Sequence, residues 1–100
     1  MKELPLACTL DETAMAAQRA RYVVVARHVL GLAHGDRLLR ARLDEGLDGA
    51  VLRELIEVEN ECCPFFDISF DATERLLTVS VSSEEHEPAL QAIAHSLQSD

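Results

Sequence analysis

The chain has 100 residues, 48% of them hydrophobic and 27% charged, a composition typical of one globular domain rather than of a disordered segment. Its formal net charge of −9 argues against nucleic acid as a partner, because phosphate contacts require clustered lysine and arginine. No apolar stretch approaches the length of a membrane span, and no secretory signal is apparent. We therefore expect a cytosolic (cytoplasmic) protein, without membrane contact, whose three cysteines are reduced.

The charge is unevenly distributed along the chain. Most of the basic residues lie in one central block, whereas the first dozen residues and the second half are acidic. The block consists of Arg19, Arg21, Arg27, Arg37, Arg40 and Arg42. It is either a solvated surface or one half of a self-complementary contact between two copies.

The N-terminal third is predicted to be an arm followed by a helix. Residues 1–10 are short, apolar and interrupted by Pro5, which indicates an extended arm or an edge strand. From Glu12 to about Leu32, the alanine content and the length predict the first helix, which Gly31 and Gly35 would end. Apolar residues cover more than one side of this helix. We expect it to be buried on several sides or to form a homodimer contact.

The central part is predicted to be a strand followed by a second helix. Residues Arg37–Leu43 alternate between apolar and polar positions, the period of a half-buried strand. A helical apolar face then runs from about Gly49 to Glu61 or Cys62. Pro64 disfavours helical geometry at the preceding residue, so this helix should end at the cysteine pair.

The last third is predicted to be a β-hairpin and a closing helix. Residues Phe66–Phe70 and Leu77–Val81 alternate in matching polarity around a short turn. The last helix should open at Ser83 or Glu84, with Pro88 in its first turn, where proline is tolerated.

These elements predict a single α+β domain over residues 1–100, with residues 1–10 as its arm. The predicted order is helix, strand, helix, strand, strand, helix. A mainly antiparallel three-stranded sheet would carry the helices on one face, as a small two-layer sandwich. Its other face would be polar, and cross-strand Arg–Asp pairs are expected there. That face would carry Arg40, Arg42, Asp67, Ser69, Asp71, Thr78 and Ser80.

The most distinctive motif is E-x-x-C-C-P-F-F, which runs from Glu59 to Phe66. With the hairpin and helix that follow, it resembles a group of small bacterial proteins with an E-x-x-C-C-P-F-[FL] signature. Those proteins often have an earlier cysteine, matched here by Cys8 in Cys-Thr-Leu. The signature is also similar to segments found with regulators of the mercury-resistance (MerR) type. The resemblance covers most of the chain and implies a family rather than an activity.

The adjacent cysteines favour binding of a soft metal or metalloid ion. On a helix, Cys62 and Cys63 would diverge by roughly 100°, so sharing one ion requires the chain to leave the helix there, as Pro64 encourages. Thiolates select soft ions such as Cu(I), Zn(II), Hg(II) or As(III). Cys8 is the candidate third ligand. The spacing lacks the C-x-x-C pairs of a structural zinc site.

Two other hypotheses stay open. A helix C-terminus and nearby carboxylates disfavour a bare thiolate, although a bound cation reverses that effect. The cysteines would instead be structural, in a dimeric interaction module, or one would be reactive, in an enzyme acting on a small molecule. Glu59 and Glu61 are candidate supporting groups, either beside the metal ligands or as acid/base groups. No nucleotide cofactor is expected, because no phosphate-binding glycine loop is present.

The remaining polar candidates carry weaker signals. The four histidines, His28, His34, His86 and His95, are scattered without metal-ligand spacing and are predicted to be surface or capping residues. Tyr22 is predicted to pack in the core, with a pocket hydroxyl as the alternative.

Overall fold

The computed structural model of the protein describes residues 12–62 and 65–98. The predictions for the N-terminal arm, Cys8 and Cys63 therefore lie outside the described residues. The described elements are three helices, α1 (Glu12–Ala26), α2 (Gly49–Cys62) and α3 (Glu87–Gln98), and four strands, β1 (Val29–Gly35), β2 (Leu38–Leu43), β3 (Phe66–Asp71) and β4 (Leu76–Val81). A single 3-10 turn, Glu84–His86, precedes α3.

The strands form one antiparallel sheet in the order β1-β2-β4-β3. The α+β prediction is confirmed, as are the β3–β4 hairpin and the addition of the Arg37–Leu43 segment to it. The three-stranded sheet and the predicted element order are wrong, because Val29–Gly35 is an additional strand. Part of this strand had been assigned to the first helix.

The missed strand β1 has an unusual sequence. Its outward positions, opposite Leu38, Arg40 and Arg42, are occupied only by glycine and alanine, so no polar alternation is visible. The register also shifts between Val29 and Gly31, which places Leu30 in a bulge. Backbone pairing with β2, rather than side-chain pattern, makes this segment a strand.

Helix α1 ends earlier than predicted and is buried less. After Ala26 the chain turns, and the backbone N–H of His28 donates to the carbonyl of Val25 over 2.9 Å. Only Gln18 and Val25 of α1 are buried, and Val23 is 49% exposed. Burial of this helix on several sides was therefore a wrong prediction.

The core lies between the helices and one face of the sheet. It combines the inward residues of β2 and β4 with Phe66, two leucines of α2 and the inner stripe of α3. The α2 boundaries and the α3 stripe agree with the predictions. The largest fully buried side chains of this core are Leu39, Leu43, Leu90, Leu97 and Val25.

The other sheet face is polar, as predicted, but its expected Arg–Asp pairs are absent from the described part of the chain. Strand β4 lies between β2 and β3, so Arg40 faces Thr78 and Thr78 faces Ser69. Arginine and aspartate are thus two strands apart, about 10 Å at the usual strand spacing.

Candidate functional site

The candidate site lies at the C-terminal end of α2. Glu59 and Cys62 are three residues apart on this helix, which places them on one face and one turn from each other. Glu59 is only 6% exposed, whereas Cys62 is half-buried and packs against the apolar core. A buried glutamate is uncommon unless its charge is paired or hydrogen-bonded, so its contacts decide what this site can do.

Two side chains of α1 hold the Glu59 carboxylate by the same oxygen. The Tyr22 hydroxyl donates to Glu59 Oε2 over 2.9 Å, and Gln18 Nε2 donates to it over 3.0 Å. Gln18 Nε2 also donates to the carbonyl of Leu55 over 3.1 Å. Because Gln18 and Tyr22 are four residues apart on a helix, both point to the same part of α2.

A second layer of contacts fixes the Gln18 amide. Arg21 Nη1 donates to Gln18 Oε1 over 2.7 Å, and Arg21 Nε lies 3.5 Å from Glu54 Oε1. Since the amide oxygen accepts from a cation, the amide nitrogen is the group that faces Glu59. The polar network therefore runs from exposed Glu54 into the protein and ends at a buried carboxylate.

The other oxygen of that carboxylate is the unusual feature. Glu59 Oε1 is buried and accepts no hydrogen bond from the described residues. An ionised carboxylate can accept on both oxygens, and an unsatisfied buried acceptor costs about 1–3 kcal/mol. Such exceptions call for an explanation, and a ligand at this oxygen is one.

The remaining predicted site residues are either exposed or outside the described part of the chain. Glu61 is exposed, as is Asp67 on β3, whereas Glu59 is buried. The described residues contain no group of three or more histidine, cysteine or acidic side chains able to hold a metal ion. Cys8 and Cys63 lie outside them, and the three-thiolate cluster stays a prediction.

One histidine lies close to the motif. The His86 ring stacks on Phe65, two residues after Cys63, with centroids 4.1 Å apart and planes 9° apart. Its Nδ1 is buried and has no hydrogen-bond partner among the described residues. His86 is partly exposed, in line with its prediction as a surface residue, but its stacking on Phe65 was not predicted.

Sequence reasoning did not anticipate Gln18 or Arg21 as part of this network. The one available signal was a glutamine among the alanines of α1, four residues before Tyr22. Tyr22 itself is half-buried and packs against the core, as predicted, and its hydroxyl also donates to Glu59. His86 is remote from the motif in sequence, and only the fold brings it there.

A separate polar pair connects the residue before β1 with the residue after β2. His28 Nδ1 lies 2.8 Å from Asp44 Oδ1, which also accepts from the backbone N–H of Gly46. The hydrogen bond to His28 is the main reason that the pKa of Asp44 is below its usual value. The Gly46 bond and the charges of His28 and Arg75 act in the same direction, and desolvation opposes them.

Comparisons with models of protein families, with curated proteins and with solved structures found no match. The resemblance to the E-x-x-C-C-P-F-[FL] group therefore stays a prediction based on the motif. Among the described helices, none has the length and apolar character needed to cross a membrane.

Proposed function

We propose that this protein binds a soft metal or metalloid ion through thiolates at the C-terminal end of α2. Cys62 and Cys63 are the proposed ligands, and Cys8 is the proposed third. The observation that carries the proposal is the buried carboxylate of Glu59, one helical turn from Cys62, with one oxygen anchored and the other without a partner among the described residues. No nucleotide cofactor is part of the proposal.

The chemistry of ion binding suits such a carboxylate. Cysteine thiols must lose their protons to become metal ligands, so binding releases protons that a neighbouring base can accept. A cation would also compensate the buried negative charge, which is costly when isolated. Glu59 would therefore either orient and deprotonate the Cys62 thiol or supply an oxygen to the ion. Exposed Glu61 would add to the local negative charge without contacting the ion.

The alternative is an enzyme with a reactive cysteine acting on a small molecule, and the position of His86 favours it. A nucleophilic cysteine needs a neighbouring base, and two side chains with a buried polar atom lie in or beside the motif. Glu59 Oε1 precedes the cysteines on α2, and His86 Nδ1 lies in a ring stacked on the phenylalanine that follows them.

The third possibility is a cytosolic, homodimeric interaction module with structural cysteines. It is supported by the outer side of α1, where Val23 is 49% exposed beside exposed alanines. This proposal uses α1 as the contact between the two copies and needs no chemistry at the cysteine pair.

Ion titration tests the leading proposal. Reduced protein would be titrated with Hg(II), As(III), Cu(I) and Zn(II) and examined by native mass spectrometry. We expect the parent to bind one ion, Cys62→Ser/Cys63→Ser to bind none, and Glu59→Gln to bind about 10–100-fold more weakly. Glu57→Gln is the matched control, since Glu57 is an exposed glutamate of the same helix. Undiminished binding by the double cysteine variant would end the proposal.

Thiol reactivity separates the enzyme alternative from ion binding. The rate of alkylation would be followed against pH in the parent and in His86→Ala. A nucleophilic cysteine predicts a fast reaction that persists below the usual thiol pKa and slows in the histidine variant. Cysteines that are slow in both proteins would remove this alternative.

A further inference from the structure

The open face of the sheet, defined here as the side turned away from the helices, has its charges in two separate rows. Arg40 and Arg42 are exposed on β2, and Asp67 and Asp71 are exposed on β3. Strand β4 lies between the rows and contributes neutral residues. The open face is therefore basic on one side of β4 and acidic on the other.

The rows are not neutralised within the described part of the chain. No ion pair there involves Arg40, Arg42, Asp67 or Asp71. A groove of about 330 Å³ runs beside the two arginines, over the glycine and alanine positions of β1, so the guanidinium groups border open space. The two rows are too far apart to pair with each other. A second molecule with the same pattern can place its aspartates against the arginines and its arginines against the aspartates.

The register of the sheet shows how two copies would fit. Arg42 and Asp71 both lie level with Leu76, on opposite sides of β4. A two-fold axis parallel to β4, between two facing sheets, places β2 of each copy over β3 of the other. Arg42 then faces Asp71 of the second copy, and Arg40 lies between the two aspartate positions. An axis across the strands would instead stack arginine on arginine, which like-charge repulsion disfavours.

We infer that the open face is a self-complementary surface that binds the open face of a second copy of this chain about a two-fold axis parallel to β4. Facing sheets pack about 10 Å apart, a gap that an arginine and an aspartate span together. Half-buried Leu76 would face its counterpart in the second copy and supply apolar contact, whereas Leu38 would lie over Asp67. This surface is separate from α1 and independent of any ion at the cysteines.

The small size of the face and the net charge of the protein both limit the expected affinity of the dimer. With the axis over β4, only β2, β4 and β3 face strands of the second copy, and these three strands of six residues cover about 15 Å by 20 Å, which is small beside the roughly 800 Å² per partner of a standard interface. The net charge of −9 on each copy also opposes association. We therefore expect a dimer that forms in the range of about 10 μM to about 1 mM, where Kd values of weak complexes lie.

Charge reversal with sedimentation equilibrium tests this inference. Arg40→Asp/Arg42→Asp should weaken dimerisation at least tenfold, and Asp67→Arg/Ser69→Arg should do the same. Asp71 is left intact because its Oδ1 accepts from the N–H groups of Thr73 and Glu74 in the β3–β4 turn. An equimolar mixture of the two variants should form a heterodimer, since each now has the charges that the other lacks.

The matched control is Arg19→Asp/Arg53→Asp, which changes the net charge equally at exposed helix positions away from the sheet. It should dimerise like the parent. The inference is overturned if the parent stays monomeric up to about 1 mM protein, if the control weakens association as much as the Arg40/Arg42 variant, or if the mixture fails to associate. It is also overturned if Val23→Asp abolishes the dimer while the reversals do not. Circular dichroism of each variant confirms that the fold is retained, and Arg42→Gln repeats the test with a milder change.

Discussion

Helices α1 and α3 pack on the same layer of the protein but are held by different interactions. Helix α3 contributes a continuous apolar stripe to the core, formed by Ala89, Leu90, Ile93, Ala94 and Leu97. Helix α1 buries only Val25 and Gln18, and it meets α2 through hydrogen bonds to Glu59. Apolar burial is strong and non-directional, whereas a buried polar network is weak support for stability but fixes geometry. The difference indicates that α3 stabilises the fold and α1 positions a carboxylate.

The largest effect is expected from Leu90→Ala in α3. Leu90 is fully buried, so truncation removes apolar contacts and leaves a cavity, at a cost of about 2–5 kcal/mol in the free energy of unfolding. Urea denaturation measures this loss. The control is Leu30→Ala, because Leu30 is 64% exposed and its truncation should change stability by about 0.5 kcal/mol or less. Equal losses in the two variants would contradict the role given to α3.

A smaller loss is expected from Tyr22→Phe in α1. This change removes the hydroxyl that donates to Glu59 Oε2, and hydrogen bonds to charged groups contribute about 1.5–3 kcal/mol. Denaturation of the variant would measure the loss. The same substitution in a Glu59→Met background should cost less, because the acceptor is already gone. Equal costs in the two backgrounds would show that the hydroxyl acts elsewhere.

Replacement of the carboxylate itself should cost little stability. Glu59→Met keeps the approximate size of the side chain and removes the buried oxygen that lacks a partner. Gln18 retains its bond to the Leu55 carbonyl, and half-buried Tyr22 can turn its hydroxyl toward water. We expect a change within about 1 kcal/mol of the parent, as for many buried ionic groups replaced by apolar ones. A loss as large as that of Leu90→Ala would remove the distinction between α1 and α3.

The smallest effect on stability is expected for the pair of His28 and Asp44, which lies outside the contacts of α1 and α3. The folded-state pKa of Asp44 is lowered, chiefly by His28, so its contribution to stability is complete above its unfolded pKa and is lost as the pH falls through the folded value. Asp44→Asn should therefore lower the urea midpoint slightly at about pH 7, and the difference should be smaller at about pH 3, below the usual aspartate pKa, and vanish only below the lowered folded value. A difference that is the same at both pH values would contradict this coupling.

The sequence predicted the part of the fold whose side chains alternate or repeat. The hairpin Phe66–Val81 and the stripe of α3 follow from apolar spacing, and Pro64 correctly indicated the end of α2. Strand β1 was not predicted, because glycine and alanine at its outward positions give no alternation of polar and apolar residues. Its existence depends on pairing with β2, which is a tertiary property.

The sequence likewise pointed to only some of the residues of the candidate site. The E-x-x-C-C motif pointed to Glu59 as a supporting group, because this residue is part of the signature. The donors of its hydrogen bonds are far away in the chain, Gln18 by 41 residues, so local pattern could not reveal them. The stacking of His86 on Phe65 likewise depends on how the turn before α3 packs.

That stack makes His86 a natural spectroscopic reporter. An imidazole that lies nearly parallel over a phenyl ring at 4.1 Å is within the ring current of Phe65, which shifts its carbon-bound protons upfield. Phe65 is separated from Cys63 by one proline, so an ion or an alkyl group that displaces the cysteine segment would also tilt the ring. The NMR signal of His86 should therefore respond to occupancy of the neighbouring thiols without any label attached to them.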